Sequence, residues 1–243
     1  MPRTKIEWLK DVDGTQGHSI NPIKGLCQGG CTLPDGREYC YYSGEQGIAK
    51  RFHLDSELRL DLSAFDKLPK KPCKVFLCST NDLYGQWIDP EWRELILKKV
   101  KQYPQHTFII LTKEPQRIID GMLPTNCWIG TSVESAENLE RIHKLRRAIF
   151  WINRITIVSF EPLLGEVFAE GKHCFPLNGI NWVIVGRVTG FGHKYDPKPD
   201  HIQKIINMAR SQEVPIFLKD NLSKIWREKL IQEWPGGDQN GCF

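Results

Sequence analysis

From residue 74 onward, short apolar runs alternate with longer amphipathic stretches, and this alternation limits the chain to few folds. The segments 74–79, 107–112, 127–131, 155–159, 181–186 and 214–218 each read as a buried strand. Between them, 90–103 carries Trp92, Leu95, Ile96 and Val100 at helical spacing, with Pro90 placed in the first turn. A short helix is predicted through Arg117 and Ile118, and longer ones over 135–149, 201–211 and 222–234. Residues 18–25 read as an extended piece before this series, and 41–52 as a further helix. Strand and helix in turn imply a parallel sheet with right-handed crossovers. With the extended piece at 18–25 the six runs make seven units, which predict an α/β fold, a complete or partial (β/α) TIM-type barrel with parallel strands.

Nothing in the sequence divides that series. There is no internal repeat, low-complexity segment or linker, so 1–243 is expected to be one barrel domain. With 40% hydrophobic and 26% charged residues the chain has the make-up of a globular protein. No apolar run of about 18 residues is present, and the start Met-Pro-Arg-Thr-Lys lacks the apolar centre of a secretory signal. A cytoplasmic protein without membrane contact is expected. In a reducing compartment, eight cysteines point to metal binding or buried thiols rather than disulfides. Cys73, Cys78, Cys127 and Cys174 lie in or beside apolar runs and read as core, and Cys242 as a tail thiol. A net charge of +4 permits a nucleic-acid partner without requiring one.

The remaining cysteines, Cys27, Cys31 and Cys40, share a glycine-containing loop at 25–42. Thiolate sulfur favours soft metals, and the spacing leaves three readings open. The cysteines could hold a [4Fe-4S] cluster with one iron open to a small molecule, or a zinc ion with His53 as fourth ligand, or they could be unrelated thiols.

Active sites of (β/α) barrels lie at the carboxyl ends of the strands, and each apolar run here ends in polar residues. These are Ser79, Asn81 and Asp82, then Thr112 and Lys113, then Thr131, Ser132 and Glu134. Ser159 and Glu161 follow, then Gly186, Arg187 and Thr189, and finally Lys219 and Asp220. Helix capping explains some of them. Lys113 and Glu161 are neither good caps nor turn residues, which makes them the candidate catalytic pair. Asp82 and Glu134 are expected to stand partly exposed in the mouth, and the charges of 135–149, Arg141 among them, to form a solvated face.

Several segments carry a resemblance. The cysteine loop resembles that of radical S-adenosylmethionine (SAM) enzymes, Cys-x3-Cys-x2-Cys with an aromatic residue before the last cysteine, here Tyr39. More specifically, Thr-Lys-Ile-Glu-Trp at 4–8, Asn-Pro at 21–22, Cys-Tyr at 40–41, Asp-Leu at 82–83, Leu-Thr-Lys-Glu-Pro-Gln-Arg at 111–117, Ser-Val-Glu at 132–134 and Glu-Pro-Leu-Leu-Gly at 161–165 resemble a family of phage and bacterial radical-SAM-like proteins akin to spore photoproduct lyase. Two departures stand out. Eight residues separate Cys31 from Cys40, and Gly-Arg-Val-Thr-Gly at 186–190 replaces a Gly-Gly-Glu-Ser-Gly loop.

The resemblance implies a cluster on Cys27, Cys31 and Cys40, and SAM held by Tyr39, Asn81, Asp82, Lys113, Ser132, Glu134 and Gly186. Asn81, Asp82, Ser132 and Glu134 would accept from the ammonium and ribose hydroxyls, and Lys113 would donate to the carboxylate. The implied reaction passes one electron to SAM, giving methionine and a 5′-deoxyadenosyl radical that takes hydrogen from an unidentified substrate, with nucleic acid or nucleotide as a candidate. It also implies an electron donor such as flavodoxin or ferredoxin. Two other functions fit the same residues. One is a zinc-stabilised nucleic-acid-binding barrel, and the other a phosphate-binding barrel using Gly186, Gly190 and Gly192, whose few glycines are a weak signal.

Overall fold

The computed structural model describes residues 4–11, 13–42, 44, 47–51, 56–119, 121–150, 154–168 and 176–236. Seven parallel strands form one sheet whose spatial order follows the chain: β1 (His18–Ile20), β2 (Lys74–Leu77), β3 (Thr107–Thr112), β4 (Cys127–Ser132), β5 (Thr156–Phe160), β6 (Trp182–Val185) and β7 (Ile216–Leu218). The curled sheet is a partial (β/α) barrel, as the alternation predicts. Its helices are α1 (Ile48–Arg51), α2 (Pro90–Lys101), α3 (Glu140–Ala148) and α4 (Pro199–Ser211).

Side chains alternate across each strand, and both faces are apolar, as a covered parallel sheet requires. Phe108, Ile110, Val158 and Val183 point to the outer layer, where Ile96, Ile142 and Ile205 of the helices meet them. Ile109, Ile157, Ile184 and Phe217 point to the concave side. There the N-terminal segment fills the barrel. Trp8, only 2% exposed, stands edge-on to Phe76 and Trp182 at centroid distances of 5.1 and 6.1 Å, a favoured aromatic geometry. Lys74 anchors the segment from below by donating to the Lys10 carbonyl at 3.0 Å and pairing with Asp11 at 3.0 Å.

Two predicted helices differ. The helix expected over 41–52 is confined, among the described residues, to Ile48–Arg51. The chain before it turns tightly, Gly44 donating to the Cys40 carbonyl at 2.9 Å and Gly47 to that of Gly44 at 2.8 Å. The helix expected over 222–234 is replaced by a 3-10 turn, Asp220–Lys224, and an extended strap. In the strap Gln232 bridges to Phe217, Leu218 donates to the Ile231 carbonyl at 2.7 Å and Glu233 to that of Ile216 at 3.0 Å. An edge strand presents unpaired backbone groups, and pairing β7 outweighs the local helical spacing. Arg210 fixes the strap by a two-pronged contact with Glu233 at 2.9 and 2.7 Å.

Cys73, Cys78 and Cys127 are buried, as their apolar neighbours predict. Cys174, Cys242 and His53 lie outside the described residues. Among those described, no helix is long and apolar enough to cross a membrane.

Candidate metal and ligand cavity

A cavity of about 870 Å³ opens at the carboxyl ends of the strands. Cys27, Cys31 and Cys40 line it together with Asp82, Lys113 and Ser132, and with Glu161 and Lys219.

The long interval between Cys31 and Cys40 is folded away as a hairpin. Thr32 bridges to Glu38, Leu33 donates to the Arg37 carbonyl at 2.8 Å, and Tyr39 donates to that of Cys31 at 2.9 Å. Pro34, Asp35 and Gly36 make the turn, and Gly36 sits at φ +85, a conformation natural only to glycine. The hairpin returns Cys40 to Cys31, whose thiols meet. That hydrogen bond to Cys40, with burial, pushes the Cys31 thiol pKa up, and burial raises that of Cys27. At the hairpin tip, Asp35 accepts from Lys194 and from Arg37, each at 3.0 Å, and from the Tyr195 hydroxyl. The tip is thereby clasped to the loop following β6. The Asp35 carboxyl is held well below the usual carboxylate range, first by the Tyr195 hydroxyl and then by Arg37.

Gly25 sits at the base of the loop with φ +91, and a Cβ there would come within 2.2 Å of the Glu57 carbonyl oxygen. Asn81 holds the same base, donating to the Gly25 carbonyl at 3.1 Å while its own oxygen accepts from Trp87 at 3.3 Å. Gly25→Ala is expected to cost about 1–3 kcal/mol in backbone strain. It should also make Cys27 and Cys31 react faster with an alkylating reagent. Unchanged melting and alkylation would show that the loop does not depend on this turn.

Behind Cys31 lies a charged cage. The Lys113 ammonium is 3.0 Å from Cys31 Sγ, 2.7 Å from the Tyr39 hydroxyl and 2.5 Å from Glu134 Oε1. Glu134 Oε1 also accepts from Tyr39 at 3.1 Å, and its Oε2 from Arg141 at 2.7 Å. Arg141 further donates to the Ser132 carbonyl at 2.8 Å. Burial works against the Lys113 charge, yet the Glu134 carboxylate, with Tyr39 and Cys31, turns the balance and its pKa is raised. Burial likewise opposes the Glu134 charge, and Lys113 and Arg141 overcome it, leaving its pKa lowered.

On the other wall Glu161 and Lys219 form a close ion pair, with Glu7 4.0 Å from the lysine. Gly186 stands behind the pair, and a Cβ there would meet Lys219 at 3.0 Å and Glu161 at 3.1 Å.

The expectation that Asp82 and Glu134 stand partly exposed in the mouth holds for Asp82 and is corrected for Glu134. Glu134 is only 6% exposed because two cations and a hydroxyl enclose it. Asp82 is half-buried, and its oxygens accept from the backbone amides of Tyr84 at 3.0 Å and Lys113 at 2.7 Å. Asn81 is spent on the loop base. Ser132 lines the cavity. Sequence reasoning missed Arg141, assigned to a solvated face, and the partnership of Glu7 with Lys219. A cation two turns after a strand-end glutamate is the one local signal that Arg141 offered.

The donor set suits a thiophilic centre. The three thiols of the loop line the cavity together with Cys78, and a Cβ at Gly29 would come within 3.3 Å of Cys27 Sγ and 3.1 Å of the Trp87 ring, so the loop is shaped closely around that sulfur. Among the described residues, no three Cys, His, Asp or Glu side chains are drawn together tightly enough to grip a single ion.

Fold and site together define an open parallel (β/α) barrel with a thiol-lined cavity at the carboxyl ends of its strands. The chain belongs to the family described as Protein of unknown function (DUF5131), which matches residues 3–231. Among solved structures it is similar to a double mutant of spore photoproduct lyase with bound AdoMet and dinucleoside spore photoproduct, at 11% identity and a TM-score of 0.47. That match covers 86% of this chain and 65% of the other, so the chain spans less than two thirds of that protein's length. No curated protein matches the sequence.

Proposed function

We propose that this protein is a radical SAM enzyme, working as a single barrel domain, with Cys27, Cys31 and Cys40 as the ligands of a [4Fe-4S] cluster. The observation that carries this reading is the hairpin between Cys31 and Cys40, which makes a spacing of eight residues equivalent in space to a short one. The ordered segments shared with radical-SAM-like proteins from residue 4 onward support it independently.

When bound, such a cluster supplies the electron that cleaves SAM to methionine and a 5′-deoxyadenosyl radical. The protein's part is to bind, orient and exclude water. SAM would be held by the residues that line this cavity, the Ser132 hydroxyl and the Glu161 carboxylate serving as acceptors for its polar groups. Tyr39, Asn81, Asp82 and Glu134 shape the wall from behind through the bonds described above, and Gly186 leaves room for the Glu161–Lys219 pair. The substrate enters the same cavity, with a nucleotide or nucleic acid as the candidate class. A small electron carrier of the flavodoxin or ferredoxin type serves as donor.

Protein reconstituted anaerobically with iron and sulfide, then given dithionite and SAM, is expected to release 5′-deoxyadenosine and methionine, measured by chromatography. A colourless, zinc-loaded protein that leaves SAM intact would overturn the reading.

A further inference from the structure

A lysine ammonium has three N–H donors and no acceptor. At Lys113 all three are matched: Cys31 Sγ, the Tyr39 hydroxyl and Glu134 Oε1 surround it at 3.0, 2.7 and 2.5 Å. None is left for an incoming carboxylate. The role of SAM carboxylate donor, implied by the resemblance, is therefore not open to Lys113 in this geometry.

The ammonium is also held where it stands. Its backbone amide donates to Asp82 at 2.7 Å, which fixes the end of β3. Its charge is pinned by Glu134, and Glu134 is pinned in turn by Arg141 at 2.7 Å. Two cations and one carboxylate leave this group with a net positive charge directed at one cysteine. A sulfur that ligates iron carries negative charge, and reduction of the iron adds to it. A donor aimed at such a sulfur favours the reduced state, because hydrogen bonds to the sulfurs are among the features that set the potential of iron–sulfur centres. A charge-assisted bond inside a poorly solvated wall is stronger than one in water.

We propose that Lys113 is a positioning residue of the metal centre: its N–H···Sγ bond orients Cys31 and makes the centre easier to reduce, while Glu134 and Arg141 keep the ammonium on the sulfur. The inference rests on the reading that Cys27, Cys31 and Cys40 hold an iron–sulfur cluster.

The test compares wild type, Lys113→Met and Lys113→Arg after anaerobic reconstitution. Iron and sulfide are assayed first, and the cluster is then titrated potentiometrically with dithionite, followed by visible absorbance and paramagnetic resonance. Equal iron in all three is expected. At the wild-type midpoint the reduced-to-oxidised ratio in Lys113→Met should fall about tenfold, the low end of what a charge-assisted hydrogen bond is worth. Lys113→Arg, which keeps the charge, should stay close to wild type. If Lys113→Met does not fold, the double variant Lys113→Met/Glu134→Gln, in which cation and carboxylate are removed together, is expected to show the same fall. Equal midpoints at equal iron content would overturn the proposal, as would a shift shared in full by Lys113→Arg, since that would come from mispacking. A wild-type protein that takes up no iron would instead overturn the functional reading beneath it.

Discussion

Glu134→Ala is expected to unfold about 3 kcal/mol more easily than the parent at neutral pH, because it strands Lys113 and Arg141 in a wall built around a carboxylate. Breaking a buried ion pair costs about 3–5 kcal/mol. The low end applies because the side chains of Lys113 and Arg141 keep 26% and 22% of their exposure. For a chain of this size that corresponds to a fall in Tm of roughly 6–12 °C. The pH dependence has a definite sign. Glu134 titrates lower in the folded protein than in the unfolded one. Its contribution is therefore complete above the unfolded value of about 4.3 and is lost as pH falls through the depressed folded pKa. The gap in Tm between parent and variant should thus be widest near neutrality and narrow in acid. Thermal melts across that range are the measurement, and an unchanged Tm at pH 7 would show that the cage does not stabilise the wall.

The barrel was legible because its strands are buried on both faces. A run such as Phe108, Ile109, Ile110 and Leu111 has no solvent side, so a short apolar stretch bounded by polar residues could hardly be anything else. The strap at 225–234 was not legible. Leu222, Trp226 and Leu230 keep helical spacing, and what overrides it is pairing with β7, a contact between segments that no local pattern contains. The cysteine hairpin lies between these cases. Pro34-Asp35-Gly36 is a turn signal, but the clasp of Asp35 to Lys194 and Tyr195 joins residues far apart in the chain.

The candidate site divides in the same way. That polar residues crowd the strand ends follows from the sequence, and the cavity is found there. Which of them face a ligand does not follow, since that depends on partners brought by other elements. Asp82 is taken by two backbone amides, Asn81 by the loop base, and Glu134 by Arg141 of α3. Glu161 was noticed from the sequence as an odd residue at a strand end. Its partner Lys219, and Glu7 beside that lysine, come from opposite ends of the chain.

Loss of any one of Cys27, Cys31 and Cys40 is expected to have the largest effect of all, since on the proposed reading each supplies a corner of the same centre. On the proposed reading three cysteines hold the centre; Cys73, Cys78 and Cys127 are buried, and of these Cys78 alone borders the same cavity. The decisive measurement is iron and acid-labile sulfide per chain after anaerobic reconstitution of the wild type and of Cys→Ala variants at all six of these positions, with His53→Ala alongside. The account predicts one cluster per chain in the wild type. It predicts near-complete loss for Cys27→Ala, Cys31→Ala and Cys40→Ala, and unchanged content for the soluble, folded variants at 73, 78, 127 and 53. Iron retained without Cys31, or zinc bound tightly and lost with His53, would contradict it.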